Sequence, residues 1–296
     1  MKNSRCARAT LASALTLAGG FPLTLNATYA QSEQAGQRVS EGRTAPCGLV
    51  REVARTEQEA LDNDHSLWRY RKHREDKTGE KVIEVYQTTS GEVDRVVAVN
   101  GQDLTPTELR FEDERVERLV KHPARMRERQ KRQRADAEQL RNLLKDLPDA
   151  LQFEFDGREG NLVKLRFKPN PDFHPSGHAA EALHHMEGFL LVDDREKRIA
   201  EMSGQFLSDV KIGGGLLGHL DKGGSFFLKQ QAVAPRHWDL SELRIQMSGK
   251  AFCFKSIAIQ QREIYTDYTP VSSDISLRQA AELLRRSATV KTASTN

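Results

Sequence analysis

The sequence predicts an α+β fold in which a large antiparallel sheet is covered by helices. Apolar and charged residues alternate over residues 163–167 and again over 243–247. This period of two places apolar side chains on one face of a strand and charged ones on the other. Leu49, Val53 and Leu61 instead follow helical spacing. A sheet with one apolar face must cover it with helices, a second sheet or a ligand, so the cover of this sheet is the functional question.

The amino-terminal residues have the composition of a secretory signal peptide. Lys2, Arg5 and Arg8 form a positive region, residues 9–25 carry no charge, and small residues precede a cleavage point after Ala30. The alternative is an anchoring helix, but glycine and proline interrupt the apolar run, which falls short of the ~20 residues that span a bilayer. We therefore expect a signal peptide over residues 1–30 and a mature protein in the periplasm or outside the cell.

Charge and cysteine content restrict the partners further. The formal net charge of the 296-residue chain is +3, which is too close to balance to indicate a nucleic-acid partner, and no motif calls for a cofactor. Cys47 and Cys253 remain after cleavage, and an oxidising compartment permits them to form a disulfide. The alternative is two separate buried thiols, because free cysteine is often a core residue.

The first part of the mature chain predicts a leader, a helix and three strands. Residues 31–45 are polar and aperiodic, which indicates a disordered leader. An amphipathic helix then ends near Asn63. Strands follow at residues 68–74, 81–88 and 93–99, and the last two are joined by a turn-forming sequence.

A strongly charged helical segment is predicted over residues 105–148. Thr105, Pro106 and Glu108 are suited to the cap, the first turn and the third helical position. Pro123 is the expected break and Pro148 the expected end, which predicts two helices or one kinked helix projecting into solvent.

The segment from Lys121 to Arg134 concentrates the positive charge of this insertion. It holds seven basic residues against the single acid Glu128. Such a stretch favours contact with anionic lipid at a membrane surface. The alternative is a solvated charged helix, because the stretch lacks the wide apolar face that embeds a helix in the interface.

The remainder reads as strands with a short helix and a helical tail. Gly213–Gly218 matches G-x-G-x-x-G, but no long helix follows, which excludes a dinucleotide loop and favours a flexible apolar segment. A hairpin is expected around Asp193. Helices are predicted at residues 179–186 and, in the tail, at residues 276–286. The predicted strands are residues 151–156, 162–168, 188–193, 198–210, 225–234, 238–247 and 251–265.

A histidine cluster is the strongest candidate for polar chemistry. His178, Glu181 and His185 fall on one side of a helix, with His174 and His184 close in sequence, and these ligand types suit zinc or another divalent metal. The alternative is solvated surface histidines, since the zincin motif H-E-x-x-H is absent. No nucleophile elbow occurs either, so no catalytic residue is predicted and the protein is not expected to be an enzyme.

Five stretches resemble a set of uncharacterised secreted bacterial proteins, which in turn look like the periplasmic lipoprotein-carrier (LolA-like) superfamily. They are LPDALQF at residues 147–153, FKPNPDF at 167–173, MEGFLLVD at 186–193, LDKGGSF at 220–226 and YTDY at 265–268. The resemblance implies a curved antiparallel sheet, an open half-barrel, with helices over its concave face. It also implies a domain at 46–268 that contains the insertion at 105–148, followed by a tail at 269–296.

The resemblance implies a non-catalytic binding or carrier protein for lipid or lipoprotein acyl chains. An envelope sensor or interaction protein of the same fold, with envelope proteins as partners, is one alternative, and a metal-dependent or cryptic enzyme using His174–His185 is another. The apolar face would be either an open cavity or a closed core. The candidates for its wall are Phe153, Phe155, Val163, Leu165, Phe167, Phe189, Leu191, Phe226, Leu243, Ile245, Met247, Phe252 and Phe254.

Overall fold

The computed structural model describes residues 44–175, 177–212, 218–251 and 255–293. The predicted signal peptide, most of the expected leader, the centre of the glycine-rich segment, and Phe252, Cys253 and Phe254 lie outside the described residues. Within them the α+β class is confirmed, because one large open antiparallel sheet is accompanied by five helices.

The helices lie before, within and after the strand-forming regions. The predicted amphipathic helix is confirmed, and it begins earlier than its apolar pattern indicated. The helices are α1 (Thr44–Asn63), α2 (Pro106–Lys121), α3 (Pro123–Ala150), α4 (His178–His184) and α5 (Leu277–Ala293).

In the described part of the chain, thirteen strands form the sheet. They are β1 (Leu67–Asp76), β2 (Gly79–Thr88), β3 (Gly91–Val99), β4 (Gln102–Asp103), β5 (Leu151–Glu159), β6 (Leu162–Pro169), β7 (Met186–Asp193), β8 (Arg198–Phe206), β9 (Val210–Ile212), β10 (Gly218–Leu220), β11 (Ser225–Ala234), β12 (His237–Ala251) and β13 (Lys255–Val271). The strand order along the main path is β4-β3-β2-β1-β13-β12-β11-β8-β7-β6-β5, and β9 and β10 attach beside β12. Because β4 and β5 occupy opposite ends of this path, the sheet is open.

Each face of the sheet carries its own hydrophobic cluster. The larger cluster joins strands β1, β2, β5–β8 and β11–β13 to leucines and valines of α1, α3 and α4. The smaller cluster joins β1–β3 to α2 and α5, with Ala280, Ala281 and Leu284 of α5 at its centre. Val85 belongs to the first cluster and its neighbour Tyr86 to the second, which places them on opposite faces of β2. We call the face of the larger cluster the core face and the other the outer face.

The charged segment was predicted to project into solvent, but its second helix, α3, packs against the sheet. Leu140, Leu143, Leu144 and Leu147 of α3 are all buried in the larger cluster. Their spacing of three and four residues forms an apolar stripe, which the high charge of the remaining positions obscured in the sequence. The segment therefore supplies part of the core.

The two prolines of this segment behave differently. Pro123 separates α2 from α3, so the alternative of two helices is correct, and Thr105 and Glu108 form the expected capping box of α2. Pro148 was expected to end the segment, but it lies inside α3, which continues to Ala150. A proline so close to the carboxyl end removes one backbone hydrogen bond from a turn that is ending anyway.

The hairpin around Asp193 is confirmed as β7 and β8, although β8 ends at Phe206 and a separate short strand β9 follows. The tail helix is also confirmed, and it is longer than predicted. No helix in the described parts of the chain has the length and apolar character that a membrane span requires.

Candidate functional site

Most of the predicted cavity-wall residues lie on the core face under the helices. Their side chains are exposed by no more than 8%. Exposure this low is typical of a close-packed core. A ligand would reach this face only if α1 or α3 moved away. The residues concerned are Phe153, Val163, Leu165, Phe167, Phe226, Leu243, Ile245 and Met247.

Three other predicted wall residues are placed differently. Phe189 and Leu191 lie on the outer face, because Leu190 and Val192 occupy the core face of β7. Phe155 is 59% exposed on the edge strand β5, next to a register shift. The run Phe189–Val192 is apolar at every position, so alternation could not show which residues point inward.

An open groove of about 660 Å³ crosses the outer face. Its lining includes the aromatic rings of Phe189 and Phe227 and the cationic side chains of Arg244 and Arg262. We call it the outer groove. The end of β1 and the turn that follows it contribute Glu75, Asp76 and Lys77 to the lining.

The strand register aligns the key residues of the outer groove in one row. Phe189 pairs with Ser203, Ser203 with Phe227, Phe227 with Arg244, and Arg244 with Arg262. The row therefore runs across β7, β8, β11, β12 and β13, with aromatic side chains at one end and arginines at the other.

A second row beside the first supplies neutral hydrogen-bonding groups. Ser225 of β11 pairs with Gln246 of β12, which pairs with Gln260 of β13. The amide of Gln261 also lines the outer groove and accepts a hydrogen bond from Arg74. The floor thus combines apolar, amide and cationic groups, a composition that can bind an amphiphilic molecule.

The two arginines of the row share one carboxylate. The Nε atoms of Arg244 and Arg262 lie 3.3 and 3.1 Å from the same Oε1 atom of Glu242. The guanidinium of Arg244 also lies 4.1 Å from the ring centre of Phe227, a cation–π geometry. Directly opposed like charges on neighbouring strands are unfavourable, and carboxylates offset them here: Glu242 contacts both arginines, and Glu75 of β1 lies opposite Arg262 in the ladder. The side chains of Arg244 and Arg262 are still about half exposed, at 52% and 51%, so both can contact an anion in the groove.

Of the first row, only Phe189 is predicted from the sequence as a ligand-binding residue. Phe227, Arg244 and Arg262 are far apart in the chain, and each follows ordinary strand alternation. Their outward positions on neighbouring strands are the feature that reveals the groove, but these positions align only once the strand order and the register are known. Sequence spacing alone gives neither the strand order nor the register.

The predicted metal ligands meet only in part. Nε2 of His185 lies 3.2 Å from Oε1 of Glu181, and Nδ1 of His185 lies 2.8 Å from Oγ of Ser208. The side chain of His178 is outside the described part of the structure. Among the described side chains, no group of three His, Cys, Asp or Glu residues is arranged to hold a metal ion.

The cysteine pair cannot be compared in full. Cys47 lies in α1, is partly exposed, and interacts with Arg51, one turn later. Cys253 is outside the described residues, so the disulfide stays a prediction.

A second polar cluster lies around the buried His237 and joins Asp64, the residue that follows α1, to the start of β12. His237 bonds to Asp64, stacks on Trp68 with ring centres 4.5 Å apart, and lies near Asp239. Burial favours the neutral ring, but contacts with Asp239 and Asp64 outweigh it and raise the pKa of His237. Burial of Asp64 is likewise outweighed by hydrogen bonds from His237 and Ser66, which lower the pKa of Asp64. The cluster is therefore a partly buried ion pair on which the ring of Trp68 stacks.

Comparison of the chain with protein-family models, with curated proteins and with solved structures finds no significant match. A functional proposal must therefore be argued from the site itself, that is, from the outer groove and the groups that line it.

Proposed function

We propose that the protein binds a lipid-like molecule with an acyl chain and an anionic head, and that it does so in the outer groove. The observation that carries the proposal is the row from Phe189 to Arg262, which is aromatic at one end and cationic at the other. The acyl chain would lie on Phe189 and Phe227. The anionic head would bind between Arg244 and Arg262, whose side chains are both about half exposed.

The outer groove is a better ligand site than the core face. Residues of the core face are buried beneath α1 and α3, so a chain entering there must displace packed helices. The outer groove is open and needs no such rearrangement. Binding there leaves the core intact.

The proposal extends to the type of fold and the location. The open antiparallel sheet with covering helices is compatible with a half-barrel of the lipoprotein-carrier type, in which α2 and α3 form an insertion. Together with the predicted signal peptide, this favours a carrier or sensor in the periplasm. Envelope proteins, or a membrane surface contacted through Lys121–Arg134, would then be its partners. The mass of the exported protein tests the cleavage after Ala30.

The proposed function is tested by measuring the binding of oleate to the purified protein, with calorimetry or native mass spectrometry. We expect oleate to bind at least about tenfold more tightly than a neutral detergent of similar chain length, because only oleate places a carboxylate beside the arginines. Phe227→Ala and Arg244→Gln should each weaken oleate binding by about tenfold or more.

Lys229→Gln is the matched control, since Lys229 lies on β11 near Phe227 but pairs with Glu201 at 2.6 Å. It should bind oleate like the unmodified protein. Absence of oleate binding, equal binding of the neutral detergent, or unchanged binding in both groove variants would contradict the proposal.

A further inference from the structure

Ser208, His185 and Glu181 form a hydrogen-bonded relay on the surface, and none of the three lines the outer groove. Oγ of Ser208 lies 2.8 Å from Nδ1 of His185, and Nε2 of the same ring lies 3.2 Å from Oε1 of Glu181. The hydroxyl and the carboxylate thus contact opposite nitrogens of one imidazole. This is the connectivity by which a histidine takes a proton from a nucleophile while a carboxylate orients the ring.

The carboxylate of Glu181 determines the direction of the hydrogen bonds in the relay. A carboxylate can only accept, so Nε2 of His185 carries the proton that it donates to Glu181. Nδ1 of the neutral ring then has a free lone pair, and it accepts the hydrogen bond from the hydroxyl of Ser208. His185 is therefore in the tautomer that a general base for Ser208 needs.

The backbone fixes the position of Ser208 relative to His185. Met186 and Phe206 are paired in the β7–β8 ladder, and the amide of Leu207 donates to the carbonyl of His185 at 2.8 Å. Phe206 is also held from the other side, because its amide donates to the carbonyl of Gly224 at 2.8 Å. The residue that follows, Ser208, is thus positioned by a rigid ladder end.

Stability does not account for the relay. His185 and Glu181 are partly exposed, with 28% and 38% of their side-chain surface accessible, and polar pairs near the surface contribute little to folding. The nucleophile is also accessible, and Leu207 beside it is 40% exposed. An accessible serine with an oriented histidine and an adjacent apolar side chain is suited to an acyl substrate.

We infer that Ser208 is a nucleophile activated by His185 and Glu181, and that it cleaves carboxylic esters. Oγ of Ser208 attacks the ester carbonyl, and its proton passes to Nδ1 of His185. The alcohol leaves with that proton, and water releases the acid from the acyl-serine by the reverse sequence. The amide of Asp209, the residue after the nucleophile, takes the chain position that supplies an oxyanion donor in serine hydrolases.

The carboxylate of Asp209 is held in place by the amide of Lys222, at 2.8 Å. This bond orients the peptide that follows Ser208. The inference does not depend on the proposed binding function, since none of these residues lines the outer groove.

The full chain, treated with a fluorophosphonate and analysed by mass spectrometry, provides the test. Labelling forms a bond between Oγ and phosphorus and expels fluoride, and the proton goes to His185. We expect one label on the peptide that contains Ser208, and hydrolysis of p-nitrophenyl acetate above the rate in buffer. Both should disappear in Ser208→Ala and fall by about a hundredfold or more in His185→Gln.

Glu181 is a positioning residue. Two substitutions distinguish this role from a purely structural one. Glu181→Gln keeps the shape and removes the charge, whereas Glu181→Asp keeps the charge. We expect labelling to be slower in Glu181→Gln than in Glu181→Asp. A structural role predicts the opposite order, because glutamine preserves the contacts better.

Ser241→Ala and Glu187→Gln are the matched controls, since Ser241 lies on β12 and Glu187, on β7 two residues after His185, makes none of the relay's hydrogen bonds. They should label like the unmodified protein. Thermal unfolding of every variant verifies that the fold is retained. The inference is overturned if folded protein shows no label on Ser208, or if Ser208→Ala hydrolyses the ester as fast as the unmodified chain.

Discussion

Arg198 of β8 and Glu57 of α1 form a buried, two-pronged ion pair. The Nε and Nη2 atoms of Arg198 donate to the two carboxylate oxygens of Glu57 at 2.9 and 3.0 Å. The amide of Ile199 donates to the same carboxylate at 2.9 Å. Since α1 packs on the core face, this ion pair attaches α1 to the sheet.

Removal of the Glu57 charge should destabilise the protein strongly. Glu57→Gln leaves the buried guanidinium of Arg198 without its counter-ion, which typically costs about 3–5 kcal/mol of the free energy of unfolding. Urea denaturation measures the change. Glu59→Gln on the same helix is the control, because Glu59 is exposed and pairs with Arg55 at 3.8 Å, and we expect a loss below about 1 kcal/mol. Equal losses in the two variants would mean that the buried pair does not anchor α1.

The His237 cluster should make stability depend on pH in two directions. The raised pKa of His237 contributes stability below its ordinary value of 6.5, and this contribution is lost as pH rises through the folded-state pKa. The lowered pKa of Asp64 contributes stability above its ordinary value of 3.8, and this is lost as pH falls through the folded-state pKa. Contributions from both are therefore fully present between pH 3.8 and 6.5.

His237→Phe tests this dependence, since a phenyl ring preserves the stacking on Trp68 and cannot carry charge. The groups facing the ring are Asp64, Asp239 and the hydroxyl of Ser66. The free energy of unfolding, measured by urea titration from pH 4 to pH 9, should differ most between variant and unmodified protein below pH 6.5. A difference independent of pH would contradict the ion pair.

Gly188 should not tolerate alanine. A Cβ atom at Gly188 would lie 1.9 Å from the carbonyl oxygen of Ser203 on the paired strand, so the β7–β8 ladder would have to open. Gly188→Ala should cost about 3 kcal/mol or more. Gly48→Ala is the comparison, because nothing lies within 4 Å of a Cβ atom there and the position is helical.

We expect Gly48→Ala to stabilise the protein by about 0.5–1 kcal/mol, since alanine loses less backbone entropy than glycine in a helix. Thermal unfolding should therefore shift in opposite directions for the two alanine variants. Shifts of the same sign would show that packing around Gly188 differs from that described.

The contribution of α3 to the core can be measured at Leu144. Leu144→Ala removes a side chain that is 5% exposed and should cost about 2–5 kcal/mol. Its exposed neighbour Lys145 is the control, and Lys145→Ala should change stability by less than about 0.5 kcal/mol. If the helix projected into solvent, both substitutions would have small effects.

The sequence predicted the strands well, because alternation is a local signal. Val163 and Leu165, separated by Lys164, were assigned to one face, and both are buried in the core. The prediction is wrong at β7, where Phe189 and Leu191 point away from the core. Four consecutive apolar residues carry no alternation, and only the partner strands decide which pair is buried.

The candidate site was less predictable than the fold. Ser208 and His185 are joined by the β7–β8 ladder, and Phe227 and Arg244 by the β11–β12 ladder. Neither pair has a recognisable motif in the chain. Charge density likewise concealed the leucines of α3. Long-range register and helix packing determine these features, and a single sequence does not specify them directly.

The pairing of β1 with β13 has a consequence for how the protein is made. The strands β1–β4 are synthesised early, yet their link to the rest of the sheet is the ladder from Leu67–Val271 to Asp76–Gln261. A ribosome must release almost the whole chain before that ladder can form, and contacts so distant in sequence close slowly. Until then the early hairpins present the bare edge of β1. A chaperone that shields this edge would be most valuable during that interval.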